Sequence, residues 1–217
     1  ERSTKKKNFM TFKTEQEQFW AGDFGDDYIS RNQSAELLAS NLNFFATALK
    51  LVQRPASIIE FGANVGMNLR ALKLLFPEIT PAAVEINERA AKQLAAVVPA
   101  ENIFNGSIFD YPATEQFDVA LIKGVLIHIK PEMLPVVYEK LYESAKKYIL
   151  IGEYYNRAPV AINYRGHIDR LFKRDFCGDF LDKYAGQTRL LDYGFAYHRD
   201  PSFPQDDITW FLVEKME

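Results

Sequence analysis

From residue 57 the chain changes its period, and that change constrains the fold more than any other feature. Short apolar runs, "SIIEF", "AAVEI", the weaker "ENIFNGSI", "DVALIKG" and "YILIGEY", alternate with helical patterns. "MNLRALKLLF" closes at Pro77, "NERAAKQLAAV" opens on Asn87 as its cap, and "PEMLPVVYEKLYESA" carries Pro131 in its first turn. Strands joined through helices in this order form right-handed crossovers, so a mostly parallel sheet covered on both faces follows. "LLDYGFAYH" and "ITWFLVEK" come next with no helix between them, and read as a C-terminal antiparallel hairpin added to the sheet.

Ahead of this core, "TEQEQFW" sets Thr14 three residues before Glu17, a capping box that starts a short helix carrying Phe19 and Trp20. "AGDFGDDYISRN" is polar and glycine-punctuated, a loop holding Phe24 and Tyr28. "SAELLASNLNFFATAL" puts Leu37, Leu38, Leu42, Phe45 and Leu49 near one face, with Ser34 as the cap. The expectation is an N-terminal helical lid over residues 1–50 and a Rossmann-like core over residues 55–217. Together they form a single α/β domain, a size that one core can serve.

The formal net charge of -3, with acidic and basic residues interspersed, gives no basic stripe for nucleic acid. One cysteine, Cys177, allows no intrachain disulfide and no cysteine metal cluster. No apolar run reaches the length of a membrane span, and "ERSTKKKNFM" lacks the apolar centre of a secretion signal, so a cytoplasmic protein is expected. Glu1 in place of methionine fits a numbering that begins inside a longer sequence.

In an open parallel sheet the ligand sits beyond the carboxyl ends of the strands, where the strand order reverses. "SIIEFGANVGMNLRAL" has the pattern of the first strand-to-helix turn there. Gly62 permits the tight turn and Gly66 a close approach of backbone, since neither carries a Cβ. A dinucleotide fingerprint opening at Gly62 needs glycines at 64 and 67, where Asn64 and Met67 stand, so a pyrophosphate site is disfavoured. Glu85 ends the next strand, roughly twenty residues on, where a carboxylate accepts hydrogen bonds from ribose hydroxyls. With Glu60 a second carboxylate at the same rim, a phosphate-free, positively charged nucleoside such as S-adenosylmethionine suits the pair.

"IIEFGANVGMNL", "AAVEIN", "GSIFD" and "FDVALIKGVLIHI" resemble the successive motifs of class I S-adenosylmethionine-dependent methyltransferases. The flanking segments "FWAGDFGDDYISRNQ" and "GEYYNRAPVAINYRGHIDRLFKRDF" are similar to the methylases associated with pseudaminic acid biosynthesis. The resemblance implies a seven-stranded sheet and S-adenosylmethionine as cofactor. It implies Gly62, Asn64 and Gly66 around the methionine moiety with Glu60 near it, Glu85 at the ribose, and Ser107 and Ile108 flanking the adenine. Lys123 and Gly124 would lie beside the sulfonium, and Trp20, Tyr28, Arg31 and Asn32 would come from the lid. Asn64 stands where the commoner turn has its central glycine.

Beyond the fifth strand, "EYYNRAPVAINYRGH" gathers Glu153, Tyr154, Tyr155, Asn156, Tyr164, Arg165 and His167 in a loop at the ligand-facing edge, which suits either substrate binding or an exposed aromatic surface. "RLFKRDF" reads as a solvated helix face. His128 follows a strand end, where either a general base or a structurally satisfied histidine fits. His128, Tyr154 and His167 are the catalytic candidates. "KGVL" lacks the asparagine-proline-proline-aromatic tetrad of enzymes that methylate exocyclic amines of DNA, and Arg165 suits an acceptor carboxylate or phosphate. The expected acceptor is a small molecule, a sugar or sugar acid methylated at oxygen or nitrogen, with no nucleic acid, membrane or metal involved. The rivals are a nicotinamide-dependent oxidoreductase and a non-catalytic protein that binds S-adenosylmethionine.

Overall fold

The computed structural model of the chain describes residues 12–29, 34–164 and 167–216, with the backbone alone at residue 27, at 163–164 and at 167–170. The apolar runs form β1 (Ser57–Phe61), β2 (Thr80–Glu85), β3 (Ile103–Asn105), β4 (Phe117–Lys123) and β5 (Ala145–Glu153). Between them lie α4 (Met67–Leu75), α5 (Glu88–Leu94) and α6 (Leu134–Ser144), after α1 (Glu15–Ala21), α2 (Asp23–Ile29) and α3 (Ala35–Ala48). The chain continues through β6 (Val160–Tyr164), β7 (His167–Lys173), α7 (Phe176–Lys183), β8 (Thr188–Ala196) and β9 (Ile208–Lys215).

Seven strands form one sheet in the order β3-β2-β1-β4-β5-β9-β8, parallel through β5 and antiparallel at β9 and β8. The connections run outward from β1 to β3 and then return to β4, so the order reverses between β1 and β4. Alternate residues of each strand feed two cores. Ile58, Val119, Leu121 and Leu150 meet Phe44, Phe45, Leu69 and Leu94 of α3, α4 and α5. Ile59, Phe61, Ile122 and Ile149 meet Val137, Leu141, Phe176 and Phe180 of α6 and α7. Burial on both faces is why β4 is an almost unbroken apolar run rather than an alternating one.

Three segments differ from the sequence reading. "DFGDDYI" is the helix α2, not a loop: Trp20 packs edge-on against Phe24 at 5.2 Å and Tyr28 at 5.4 Å between ring centroids, a contact that outweighs the helix-weakening Gly25. The segment after β5 contains the antiparallel pair β6 and β7 instead of a loop, with Tyr164 opposite His167, and "RLFKRDF" runs from β7 into α7 instead of forming a helix face. Asp175 caps α7 by accepting from the Gly178 N–H at 2.8 Å. Helix α3, grouped with the lid in the sequence reading, packs as a layer of the sheet; α1 and α2 are the elements that lie over the carboxyl ends of the strands.

The lid is held by its polar side chains. The Thr14–Glu17 capping box forms as expected. Asn87, which caps α5 by accepting from the Ala90 N–H, donates from Nδ2 to Asp26 Oδ1 at 2.9 Å, and Arg89 pairs with the other Asp26 oxygen at 2.9 Å. Lys13 reaches Asp110 at 2.6 Å. Among the described residues no helix is long and apolar enough to cross a membrane.

Asp26→Ala removes two of these ties while leaving both cores untouched. Amide hydrogen exchange over residues 15–29 is expected to accelerate about tenfold, with sheet amides unchanged. Unchanged exchange in α1 and α2 would show that Asp26 does not hold the lid.

Candidate functional site

A cavity of about 260 Å³ lies at the carboxyl ends of β1 and β4, under α1 and α2. This is the crevice at the reversal of strand order. Its floor is the β1–α4 turn. Gly62, Asn64 and Gly66 all adopt left-handed backbone, with φ of 76°, 48° and 79°. Asparagine is among the few residues other than glycine that occupy this region readily, so Asn64 serves where the commoner turn has a glycine. At Gly62 a Cβ would also stand 2.5 Å from Val125 Cγ2.

Glu85 ties that turn to the sheet. Its Oε2 accepts from the Asn64 N–H and its Oε1 from the Asn87 N–H, each at 2.7 Å, while Val84 O accepts from the Gly62 N–H at 2.8 Å. Each Glu85 oxygen keeps a further acceptor position, and the residue lines the cavity. Burial raises its pKa against the pull of the backbone N–H groups.

Glu60 sits beneath the cavity wall rather than on it. Its Oε1 accepts from Asn68 Nδ2 at 2.6 Å, and Oε2 has no partner. Burial pushes its pKa up to about 8, against the Asn68 hydrogen bond and the charge of Lys123. Lys123 and Gly124 line the cavity, as do Ser107 and Ile108 from the turn after β3. The Ser107 hydroxyl accepts from the Phe109 N–H at 3.1 Å, a local cap.

The catalytic and acceptor candidates divide by position. His128, Tyr154, Trp20 and Tyr28 all line the cavity, and the His128 ring lies 4.7 Å from that of Trp20. Glu153 does not reach the cavity. Its Oε1 accepts from the Val125 and Leu126 N–H groups at 2.9 and 2.8 Å, which fixes the short 3-10 turn Leu126–His128, and its pKa is raised to about 7 by burial. Tyr155 is exposed beside Phe211, and Asn156 bonds the Ala158 carbonyl, so neither is brought to the wall. Arg31, Asn32 and Arg165 lie outside the described residues, and Tyr164 and His167 are described by backbone alone.

The sequence reading missed Asn41, Asn68, Gln205 and Asp206, which also line the cavity. Asn68 was legible, being one position past Met67 in the quoted turn. Gln205 and Asp206 come from the β8–β9 connection, and Gln205 donates to Asn41 at 3.0 Å across a long stretch of chain. No local pattern announces that pairing.

No protein-family model matches the sequence, and no curated protein sequence does. Solved structures do. Magnesium protoporphyrin IX methyltransferase from Synechocystis PCC 6803, with bound S-adenosylhomocysteine, superposes with a TM-score of 0.68 at 11% identity, covering 94% of this chain and 100% of that one. The Burkholderia thailandensis 1,6-didemethyltoxoflavin N1-methyltransferase gives 0.66 at 16% identity, covering 93% and 87%. Mitomycin 7-O-methyltransferase gives 0.65 at 13% identity over 93% of this chain, which spans 60% of that one. This chain has the Rossmann-like fold of S-adenosylmethionine-dependent methyltransferases.

In the folded chain Glu60 and Glu153 keep protons at pH values where the unfolded chain has lost them. The stability they contribute is complete below the ordinary value of 4.5 and is lost as pH rises toward about 8 and 7. Glu60→Gln keeps the acceptor for Asn68 and abolishes the titration. Its melting temperature is expected to exceed that of the unsubstituted protein by roughly 5 °C at pH 8.5, with the gap closing by pH 5. A gap independent of pH would contradict the burial of a titrating carboxyl.

Proposed function

We propose that this protein is an S-adenosylmethionine-dependent methyltransferase acting on a small molecule. The observation that carries the reading is the left-handed turn Gly62–Gly66 bound through its Asn64 N–H to Glu85, at the β1/β4 crevice and under a docked lid.

The residues present fit that cofactor. The free acceptor positions of Glu85 suit two ribose hydroxyls, and Gly62 and Asn64, which line the cavity, would face the amino-acid end, while Gly66 turns toward Leu94 and shapes the turn from behind. Ile108 supplies an apolar flank for the adenine, with Ser107 beside it. Bound there, the cofactor supplies an electrophilic methyl group on a sulfonium. The protein's share of the work is to hold an acceptor atom in line with that methyl and to exclude water, and such positioning supplies about 7–11 kcal/mol in well-oriented reactions. Trp20 and Tyr28 of the lid and Tyr154 past β5 would hold the acceptor, with His128 packed beside Trp20.

The neighbours named above methylate small molecules by their names, a porphyrin, a toxoflavin precursor and a mitomycin. A sugar or sugar-acid acceptor is the narrower form of the proposal, and rests on the similarity of "FWAGDFGDDYISRNQ" and "GEYYNRAPVAINYRGHIDRLFKRDF" to the methylases of pseudaminic acid biosynthesis.

S-adenosylmethionine at about a hundredfold over Kd is expected to raise the melting temperature by about 5 °C or more, while NADH leaves it unchanged. Glu85→Ala is expected to weaken cofactor affinity about tenfold or more by calorimetric titration. Stabilisation by NADH alone would replace this reading with an oxidoreductase, and cofactor binding without transfer of label to any of a panel of sugar acids and aromatic metabolites would favour a non-catalytic binding protein.

A further inference from the structure

Lys123 is the last residue of β4 and projects into the cavity wall from the same sheet face as Glu60, since Glu60 pairs with Leu121 two residues before it. Its stem occupies a slot opened by Gly152 on the neighbouring strand. A Cβ there would touch Lys123 Cγ at 3.4 Å, Ile208 Cγ2 at 3.4 Å and Phe44 Cζ at 3.5 Å. At the end of this slot Nζ lies 5.2 Å from the centre of the Phe44 ring. Among the described residues Lys123 makes no ion pair with a carboxylate.

We infer that Lys123 is a catalytic residue that takes the proton from the attacking atom of the acceptor, an inference that rests on the methyltransferase reading above. The charged groups facing it are Glu60 from β1, Glu153 from β5 and Asp206 from the β8–β9 connection, while α3 presents Phe44. Glu60 and Glu153 each keep one buried oxygen without a partner, and burial favours their neutral forms, while the exposed Asp206 makes no ion pair with Lys123. Burial depresses the lysine's own pKa, against the charges of Glu60, Asp206 and Glu153, which pull it up. A sulfonium bound in the cavity that Lys123 lines would act in the same direction as burial, because like charges within a few ångströms disfavour each other.

The balance of the step is simple. The O–H or N–H bond of the acceptor breaks and its proton joins the Nζ lone pair, giving an ammonium. The acceptor's electron pair would form the new bond to the methyl carbon as the carbon–sulfur bond breaks, the bonding pair of that broken bond staying on sulfur to give the neutral thioether S-adenosylhomocysteine. With the sulfonium charge gone the ammonium would no longer be repelled, and the proton would pass to water on the side of the cavity where Asp206 is exposed. His128, packed against Trp20, then serves in acceptor packing.

The test is a pH titration of lysine ε-carbon resonances in the full chain labelled with ¹³C-lysine, with Lys123 assigned from the spectrum of Lys123→Arg. Spectra are taken for the free protein, with S-adenosylmethionine and with S-adenosylhomocysteine, and the melting temperature of each sample reports binding. The Lys123 midpoint is expected about one pH unit or more below those of the surface lysines, and lower with the sulfonium than with the neutral thioether. A midpoint among the surface lysines, or one equal or higher with the sulfonium, overturns the inference while bound ligand leaves the methyltransferase reading intact. If neither ligand raises the melting temperature, both fall together.

Discussion

The Glu85 carboxylate is the constraint on which the site depends. It sits at the end of β2 and receives one backbone N–H from the β1–α4 turn and another from the start of α5. A buried carboxylate is expensive unless its oxygens are bonded, so both segments are drawn to it, and hydrogen bonds to a charged acceptor are about twice as strong as neutral ones. The consequence is a turn with three left-handed residues held in one place before any ligand arrives. The same Asn87 that donates to Glu85 also holds Asp26 of α2, so the order of the turn and the docking of the lid share a residue.

Four ionisable groups cluster at this rim, and their environments separate their tasks. Glu85 is bonded on both oxygens and faces the cavity. Glu60 and Glu153 lie below the wall, each bonded on one oxygen, and bind the scaffold: Glu60 holds Asn68 at the start of α4, and Glu153 holds the 3-10 turn that presents His128. Lys123 stands between them with an aromatic ring as its neighbour. A group on the wall with few partners is free to act on a ligand, whereas the half-satisfied carboxyls beneath it fix geometry and tune charge.

The parallel core was legible because its signal is local and strong. Strands of three to nine residues, with Pro77, Asn87 and Pro131 in their places, leave little choice of fold. The turn and Glu85 were legible for the same reason, since both follow from positions within one βαβ unit. Helix α2 was hidden by Gly25, whose cost is offset by ring contacts among Trp20, Phe24 and Tyr28 that only the folded chain reveals. In "VAINY" a period of two was present, but the polar and aromatic residues around it read as a loop. Glu153 looked like a ligand contact because it ends β5 at the right edge; its direction, away from the cavity and toward the backbone of Val125 and Leu126, depends on strand parity and a neighbouring turn. The pairing of Gln205 with Asn41 spans distant chain and has no local signature.

Fold similarity at 11–16% identity fixes the architecture and leaves the chemistry to these residues. The most direct measurement is a crystal structure of the protein with S-adenosylhomocysteine. The ribose hydroxyls should lie within hydrogen-bond reach of Glu85, the amino-acid end over Gly62–Gly66 and the adenine beside Ile108. Density for the ligand elsewhere, or a crevice that stays empty at saturating ligand, would contradict the assignment.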